Sequence, residues 1–542
     1  MSSRLGSKPE ACGKTIRGPK PRNLPCSRRL CRAAESAPQP AGWSVRALVK
    51  IPLRGGAQLR YAAYGAEATQ PAAPLARYNL VAPFRSFTMA QQKLRGNDLR
   101  KIGYPEGRVI GLALDVLQDR QLKKLDKGSA LALLQQIKAD PYAYLRDSLW
   151  REVAQELVPQ PRRDVGLNPE VKDYRRYGND FIEDGARRQM DTAMQLPVTL
   201  DGALMPDAHQ GYGLPIGGVL AVDNAVIPYG VGMDIGCRMA LSVFELPPHF
   251  LEQRRDELKK LLHNHTRFGN KEVFKNPTDD PVLHRPEFKE IPVVRGKREA
   301  AINQLGSSGS GNHFVEWGIV DITAADNELG VPVGQYVGLL SHSGSRGLGA
   351  AVAQHYTKVA MQKCPLPPEA RYLAWLGLDT QEGQEYWRAM NLAGDYASAC
   401  HHDIHRRLSQ ALGEKPLAKV ENHHNFAWQE TLANGREAIV HRKGATPAGR
   451  GVLGVIPGSM TAPGFLVRGR GEQDSIQSAS HGAGRRLSRT QAKQQVTEGE
   501  LRRLLRDQGV ELIGGGLDEA PMAYKDIHQV MAHQRDLVDV LG

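Results

Sequence analysis

No uncharged apolar run in the 542 residues approaches the roughly 18 positions that a membrane-crossing helix needs, and this argues against a helical membrane protein. The N-terminus also lacks the compact apolar core of a secretory signal. Cysteine is scarce: Cys12, Cys26, Cys31, Cys237, Cys364 and Cys400 show no paired framework, so a reducing, cytoplasmic setting fits. Acids are nearly missing from the first 88 residues, which hold 15 of the 71 Lys and Arg but only Glu10, Glu35 and Glu67 of the 58 acids. That leaves 56 basic against 55 acidic residues from Met89 onward, so +12 of the formal charge of +13 belongs to the extension. Bulk charge is then a poor argument for nucleic-acid binding, and polyanion contacts must come from local clusters such as Arg442-Lys443 or Arg485-Arg486.

Residues 1–88 have no sustained periodicity and read as a disordered basic extension; an organellar targeting segment or a natural start at Met89 are the other readings. From 105 to 160 the pattern is helical, with Val109, Leu112, Leu114, Val116 and Leu117 on one face. From about 197 short β-like runs broken by glycine take over, as in Gly217–Val222 and Tyr336–Leu340, and helices return at 251–263, 383–412, 498–507 and 525–541. No repeat is evident, and no low complexity follows Met89. These features predict a mixed α/β (α+β) fold with one large catalytic domain over 89–542, because the chemistry-bearing residues span 207 to 525.

The segment Val231-Gly-Met-Asp234-Ile-Gly-Cys237 presents a carboxylate and a thiol three residues apart between glycines. Histidines recur in similar company: Gly311-Asn-His313, Ser341-His342-Ser-Gly-Ser-Arg346, Asn422-His-His424-Asn425 and Ser480-His481-Gly-Ala-Gly-Arg485. Loops of small residues point a side chain into a cavity rather than a packed face. Asp234, Cys237, His313, His342 and His424 form a borderline-soft donor set suited to Mn, Zn, Fe or Co, and over-supply one ion, so a thiolate-bridged pair of metals is expected. Gly306–Asn312, Pro457–Met460 and Arg442–Thr446 read as phosphate cradles. His481 has Gly482-Ala483-Gly484 beside it, room for a bulky group on its ring, and reads as a nucleophile or else as a capping histidine at a helix start. Cys400-His401-His402-Asp403-Ile404-His405 reads as the solvated face of an amphipathic helix, and His263, His265, His528 and His533 as ordinary histidines.

In this order, these segments resemble the RtcB-type RNA ligase family, the GTP-dependent enzymes that join RNA ends in tRNA splicing and RNA repair. The blocks are Met205-Pro-Asp207-Ala-His209-Gln-Gly-Tyr-Gly, Val231–Cys237, Gly311-Asn312-His313-Phe-Val-Glu316, Ser341–Gly349, His424-Asn425, His441–Thr446, Pro457–Met460, Ser480–Arg485 and Ala523-Tyr524-Lys525-Asp526. The resemblance implies an RtcB-like catalytic domain with central sheets surrounded by helices, two Mn2+ ions bridged by Cys237, and GTP as cofactor. It implies that His481 attacks the α-phosphate of GTP while Asp207 holds its tautomer, that the guanylate passes to an RNA 3′-phosphate, and that a 5′-hydroxyl then displaces GMP. A 2′,3′-cyclic phosphate would first be opened by a metal-bound water. By the same resemblance Asn312, Glu316, Asn425, Ser459, Gly482, Ala483, Gly484 and Lys525 contact the nucleotide, with Glu316 accepting from guanine N1-H and N2. Arg238, Arg346, Arg442, Lys443 and Arg485 are the candidate RNA or phosphate contacts.

RNA is the implied partner, an activating protein is a further candidate partner, no membrane is involved, and a monomer is the default expectation. Departures from the family pattern are Arg238, where glycine is common, the 400–405 helix and an insertion-rich stretch from Arg267 to Glu299. Two other readings compete, a metal-dependent hydrolase of RNA ends and a non-catalytic RNA-end sensor. The hydrolase leaves His481, Glu316 and Lys525 without a task, and against the sensor stand the weakly charged body, which offers little general affinity for RNA, and a complete expected catalytic set.

Overall fold

The computed structural model describes Arg46–Leu48 and residues 94–105, 107–119, 122, 125–158, 165–269 and 272–542. The extension read as disordered lies outside the described residues except for Arg46–Leu48, a short strand. Ser44–Gly542 forms one compact unit, of mixed α/β character with two principal sheets. We label its main strands β1 (Thr199–Tyr212), β2 (Leu214–Val222), β3 (Arg238–Phe244), β4 (Phe314–Ile322), β5 (Gly334–Ser343), β6 (Ala418–His423), β7 (Asn425–Thr431) and β8 (Glu437–Lys443).

The six-stranded sheet runs β6-β3-β5-β4, then Arg46–Leu48 and Val510–Leu512; the five-stranded sheet runs β7-β8-β2-β1, then Arg175–Arg176. Every residue of β3 is buried, so both faces of that sheet are covered. One face carries the long helix Gln381–Leu412, whose Ile404 and Leu408 join Phe244, Trp317, Val337 and Leu339 in a common core. The helix starts on Thr380, whose hydroxyl accepts from the Gly383 amide, and stops at Gly413 in the left-handed region. The helices between 96 and 157 bury Leu99, Val109, Leu134, Ile137, Trp150 and Val153 in a core of their own, as the 105–160 periodicity predicts.

Antiparallel pairing explains how ligands distant in sequence meet. Met239 of β3 and Phe314 of β4 both lie opposite His342 of β5, and His423 of β6 lies opposite Arg238. Cys237 and His313 immediately precede β3 and β4, and His424 immediately follows β6. Four candidate ligands therefore gather at one end of four adjacent strands.

Two sequence expectations need correction. The 525–541 stretch is helical only over Ile527–Ala532 and closes on the strand Val538–Val540. The Cys400–His405 turn is helical but not a solvated face: Cys400, His401, Asp403 and His405 are buried, and only His402 is exposed. The polar groups there meet hydroxyls of the sheet rather than water, since His401 Nδ1 and His405 Nε2 lie 2.6 and 2.8 Å from Ser341 Oγ, and His405 Nδ1 2.8 Å from Ser242 Oγ. The stretch from Arg267 to Glu299, expected to be insertion-rich, packs Val282, Leu283, Phe288, Ile291 and Val294 into the main core.

Candidate active site

Two groups of potential metal ligands share one sulfur: Asp234, Cys237 and His313 form one, and Cys237, His342 and His424 the other. Within them His313 Nε2 lies 2.8 Å from Asp234 Oδ2 and 3.5 Å from Cys237 Sγ. His342 Nε2 lies 3.1 Å from Cys237 Sγ and 3.2 Å from His424 Nε2. The other ring nitrogen of His342 donates to the Asn312 carbonyl at 3.0 Å, which leaves its Nε2 as a lone pair aimed at the shared sulfur. Ions bound at about 2.0–2.3 Å draw their donors to within about 3–4 Å of one another. The observed spacings meet that requirement, so the residues present fit a divalent pair.

The electrostatics agree with this arrangement. Burial, reinforced by neighbouring histidines, holds His342 and His424 well below the ordinary imidazole range, so both are neutral and able to ligate. Burial pushes the Asp234 carboxyl up, but the charge and hydrogen bond of His313 outweigh it and the net direction is down. Burial and the adjacent Asp234 push the Cys237 thiol well up. A cation placed between these groups supplies the opposite charge that ionises the thiol. Close packing enforces the site: a Cβ on Gly309 would overlap the His313 ring, and one on Gly344 the Asp234 carboxylate.

His481 follows the strand Ser478–Ser480 and is not at a helix start, which removes the capping alternative. Its Nδ1 donates to Asp207 Oδ2 at 2.7 Å and its backbone N–H to the same oxygen at 3.2 Å. Asp207 is fully buried, and Gly484, at φ +70°, passes so close to the Asp207 carbonyl that a Cβ would not fit. With the proton on Nδ1, Nε2 keeps its lone pair, and the ring centroid lies 5.0 Å from that of His424. Both rings face a cavity of about 390 Å³ that Asp234, Cys237 and His342 also line.

A family model for tRNA-splicing ligase RtcB matches residues 189–541. The chain belongs to the RtcB family. It is 33% identical over 392 residues to the RNA-splicing ligase RtcB of Escherichia coli K12, covering 66% of this chain and 92% of that protein. It is 31% identical to the tRNA-splicing ligases RtcB of Nanoarchaeum equitans, covering 66% and 88%, and of Thermococcus kodakarensis, covering 62% and 85%. The RtcB match encloses every candidate site residue from Asp207 to Lys525.

Asn312, Glu316, Asn425, Ser459, Gly482, Ala483, Gly484, Lys443 and Arg485 line the same cavity. Asn425 accepts from the Gly444 amide and donates to the Asp234 carbonyl, tying the cavity wall at Gly444 to the Asp234 loop. Lys525 stands behind that wall: its ammonium donates to the carbonyls of Phe181, Pro206 and Ala208 and thereby ties down the Asp207 segment of β1. Three of the arginines expected at phosphates are engaged elsewhere. Arg442, 1% exposed, holds Glu430 with both terminal nitrogens, Ser478 Oγ and the Ile476 carbonyl, and stacks on Trp428. Arg238 donates to Glu421 and the Gly394 carbonyl, and Arg346 to Ser307 Oγ and the Gly269 carbonyl, both buried. Arg485 reaches Glu519, the Asp518 carbonyl and the Leu487 carbonyl while still facing the cavity.

Residues that the motif reading left out of the site also line the cavity: His209, Tyr212, Tyr229, Phe314, Met460, Arg489, Glu519 and Tyr524. His209 lies within the Asp207 block and was legible there; burial pushes its imidazole down to about 4, so it is neutral. Glu519 carries no local motif, yet it is buried and accepts from Arg485, Arg489 and Tyr524.

Proposed function

We propose that this chain is an RNA ligase that joins a 3′-phosphate or 2′,3′-cyclic phosphate RNA end to a 5′-hydroxyl end, using GTP and two Mn2+ ions. What supports the reading is the imidazole of His481, held by buried Asp207 through Nδ1, in one cavity with Asp234, Cys237, His342 and His424 of the two ligand groups that share Cys237. His481 Nε2 attacks the α-phosphorus of GTP; an N–P bond forms, the bond to the bridging oxygen breaks and pyrophosphate leaves. Asp207 keeps the Nδ1 proton and offsets the charge that develops on the ring. The guanylyl group then passes to the RNA 3′-phosphate, and the 5′-hydroxyl of the second strand displaces GMP. Manganese bound by Asp234, Cys237, His313, His342 and His424 would neutralise charge on the transferring phosphoryl group.

Glu316 selects guanine, since a carboxylate accepts from both N1-H and the N2 amino group. Residues 89–542 constitute the catalytic unit; truncation at Met89 removes the strand Arg46–Leu48 that pairs with β4 and is nonetheless expected to leave guanylylation intact. The protein acts on RNA in the cytoplasm as a monomer, with an activating protein as a further partner. Among the described residues no helix is long and apolar enough to cross a membrane.

The test is incubation with α-labelled GTP and Mn2+. A ligase acquires acid-labile covalent label that disappears in His481→Ala and in Cys237→Ala. Opening of a cyclic phosphate without label would instead make the protein a hydrolase, and neither result a sensor. Because a thiolate disfavours a hard ion, Mg2+ alone is expected to support little labelling. Full turnover in Mg2+ after removal of transition metals would overturn the ligand assignment.

A further inference from the structure

The cavity has two walls of different origin. Phe314, Glu316 and Leu340 come from the six-stranded sheet, whereas Tyr212 and Lys443 come from the five-stranded sheet. On the second wall three tyrosines meet. Tyr212 closes the turn between β1 and β2; its ring centroid lies 5.7 Å from that of Tyr372 and 6.4 Å from that of Tyr229, and the last two are 4.9 Å apart. Gly213 at the turn has φ +68°, and a Cβ there would press on Tyr372 at 3.0 Å, so the approach of turn to ring depends on glycine.

Tyr212 is 64% exposed although it lines the cavity, an unusual position for a ring of that size in a cluster. Its contacts with Tyr229 and Tyr372 are edge-on, with interplanar angles of 88° and 64°. Cations flank the group: Arg371 lies 4.7 Å from the Tyr372 centroid and Lys443 Nζ 5.0 Å from that of Tyr229. Lys443 Nζ also donates to the Tyr212 carbonyl at 2.6 Å. The next residue, Gly444, lies against the His481 ring, with a Cβ position 3.2 Å from its Cε1. Nucleophile and aromatic cluster are therefore held by consecutive residues of one strand end.

Resting on the ligase reading above, we infer that Tyr212, supported by Tyr229 and Tyr372, is the stacking platform for the terminal nucleobase of the phosphate-bearing RNA end. A π-face accepts any base, as an enzyme joining varied ends requires, and the exposed guanidinium of Arg371 alongside can meet the backbone. Stacking also supplies affinity that the near-neutral body does not provide through bulk charge.

The test uses a short single-stranded RNA with a 3′-phosphate and 2-aminopurine as its last base, and a matching RNA whose last nucleotide is abasic. Binding to the wild type is expected to quench the 2-aminopurine. Tyr212→Ala is expected to abolish the quench and weaken binding by about 5- to 150-fold, the range for one lost base–aromatic stack, while Tyr212→Trp restores both. The abasic RNA is expected to bind wild type and Tyr212→Ala alike, since the partner of the ring is already gone. Equal affinity of wild type and Tyr212→Ala for the intact RNA would overturn the inference. So would a raised KM for GTP with RNA affinity unchanged, which would place guanine on the platform. Failure of the wild type to acquire label from GTP is a separate result and strikes the ligase reading alone.

Discussion

At the scale of single residues, the pairing of His481 with Asp207 is the arrangement most exposed to test. Asp207→Asn keeps the shape of the side chain and removes its charge. Loss of a charge-assisted hydrogen bond is worth about 1.5–3 kcal/mol, so guanylylation is expected to slow by about 10- to 150-fold, measured as the rate of label uptake at saturating Mn2+. Gly484→Ala should have a larger effect, because its φ of +70° disfavours a side chain and the added carbon meets the Asp207 carbonyl. The glycines around His481 were legible in the sequence as space beside a ring. Their tight packing on Asp207 was not, because the contact spans 277 positions. Arg442 shows the same limit: its place in a basic run suggested a phosphate ligand, while the residues that occupy it, Glu430 and Ser478, lie 12 and 36 positions away.

At the scale of elements, the candidate ligand segments were readable because they lie at strand ends. Glycine, serine and asparagine around each histidine mark where a ladder stops, and antiparallel pairing brings those stops together. The long helix Gln381–Leu412 was readable as a helix but not as a buried one. An amphipathic stripe looks identical whether its polar side meets water or meets serine hydroxyls, and here the hydroxyls of Ser341 and Ser242 lie 60 and 163 positions from their histidines. His405→Leu removes the partner of Ser242, which is fully buried. An unsatisfied buried hydroxyl costs about 1–3 kcal/mol, and the urea midpoint is expected to fall accordingly, with the slope of the transition unchanged.

At the scale of the whole molecule, burial fixes how stability depends on pH. Burial holds the imidazoles of His401 and His441 down to about 4, and that of His405 to about 3. In the unfolded chain the same groups take up a proton near 6.5. Between those values the unfolded state binds more protons, so stability is lost as pH falls from about 6.5 toward 4 and is flat in these groups above 7. Lys443 adds a second window: burial pushes its ammonium down to about 7, so the penalty for burying its charge is relieved as pH rises above 7. Thermal unfolding followed from pH 4 to 9 in metal-free buffer is expected to show both slopes; a melting temperature that rose on acidification from 6.5 to 4 would contradict the first.

One link between the two sheets is a single residue: β6 ends at His423, β7 begins at Asn425, and His424 is all that lies between. An ion seated on that imidazole would act as a rivet through the seam. Slower hydrogen exchange of the amides on both sides of residue 424 should then accompany loading, a mechanical signature that can be read without any RNA or nucleotide present.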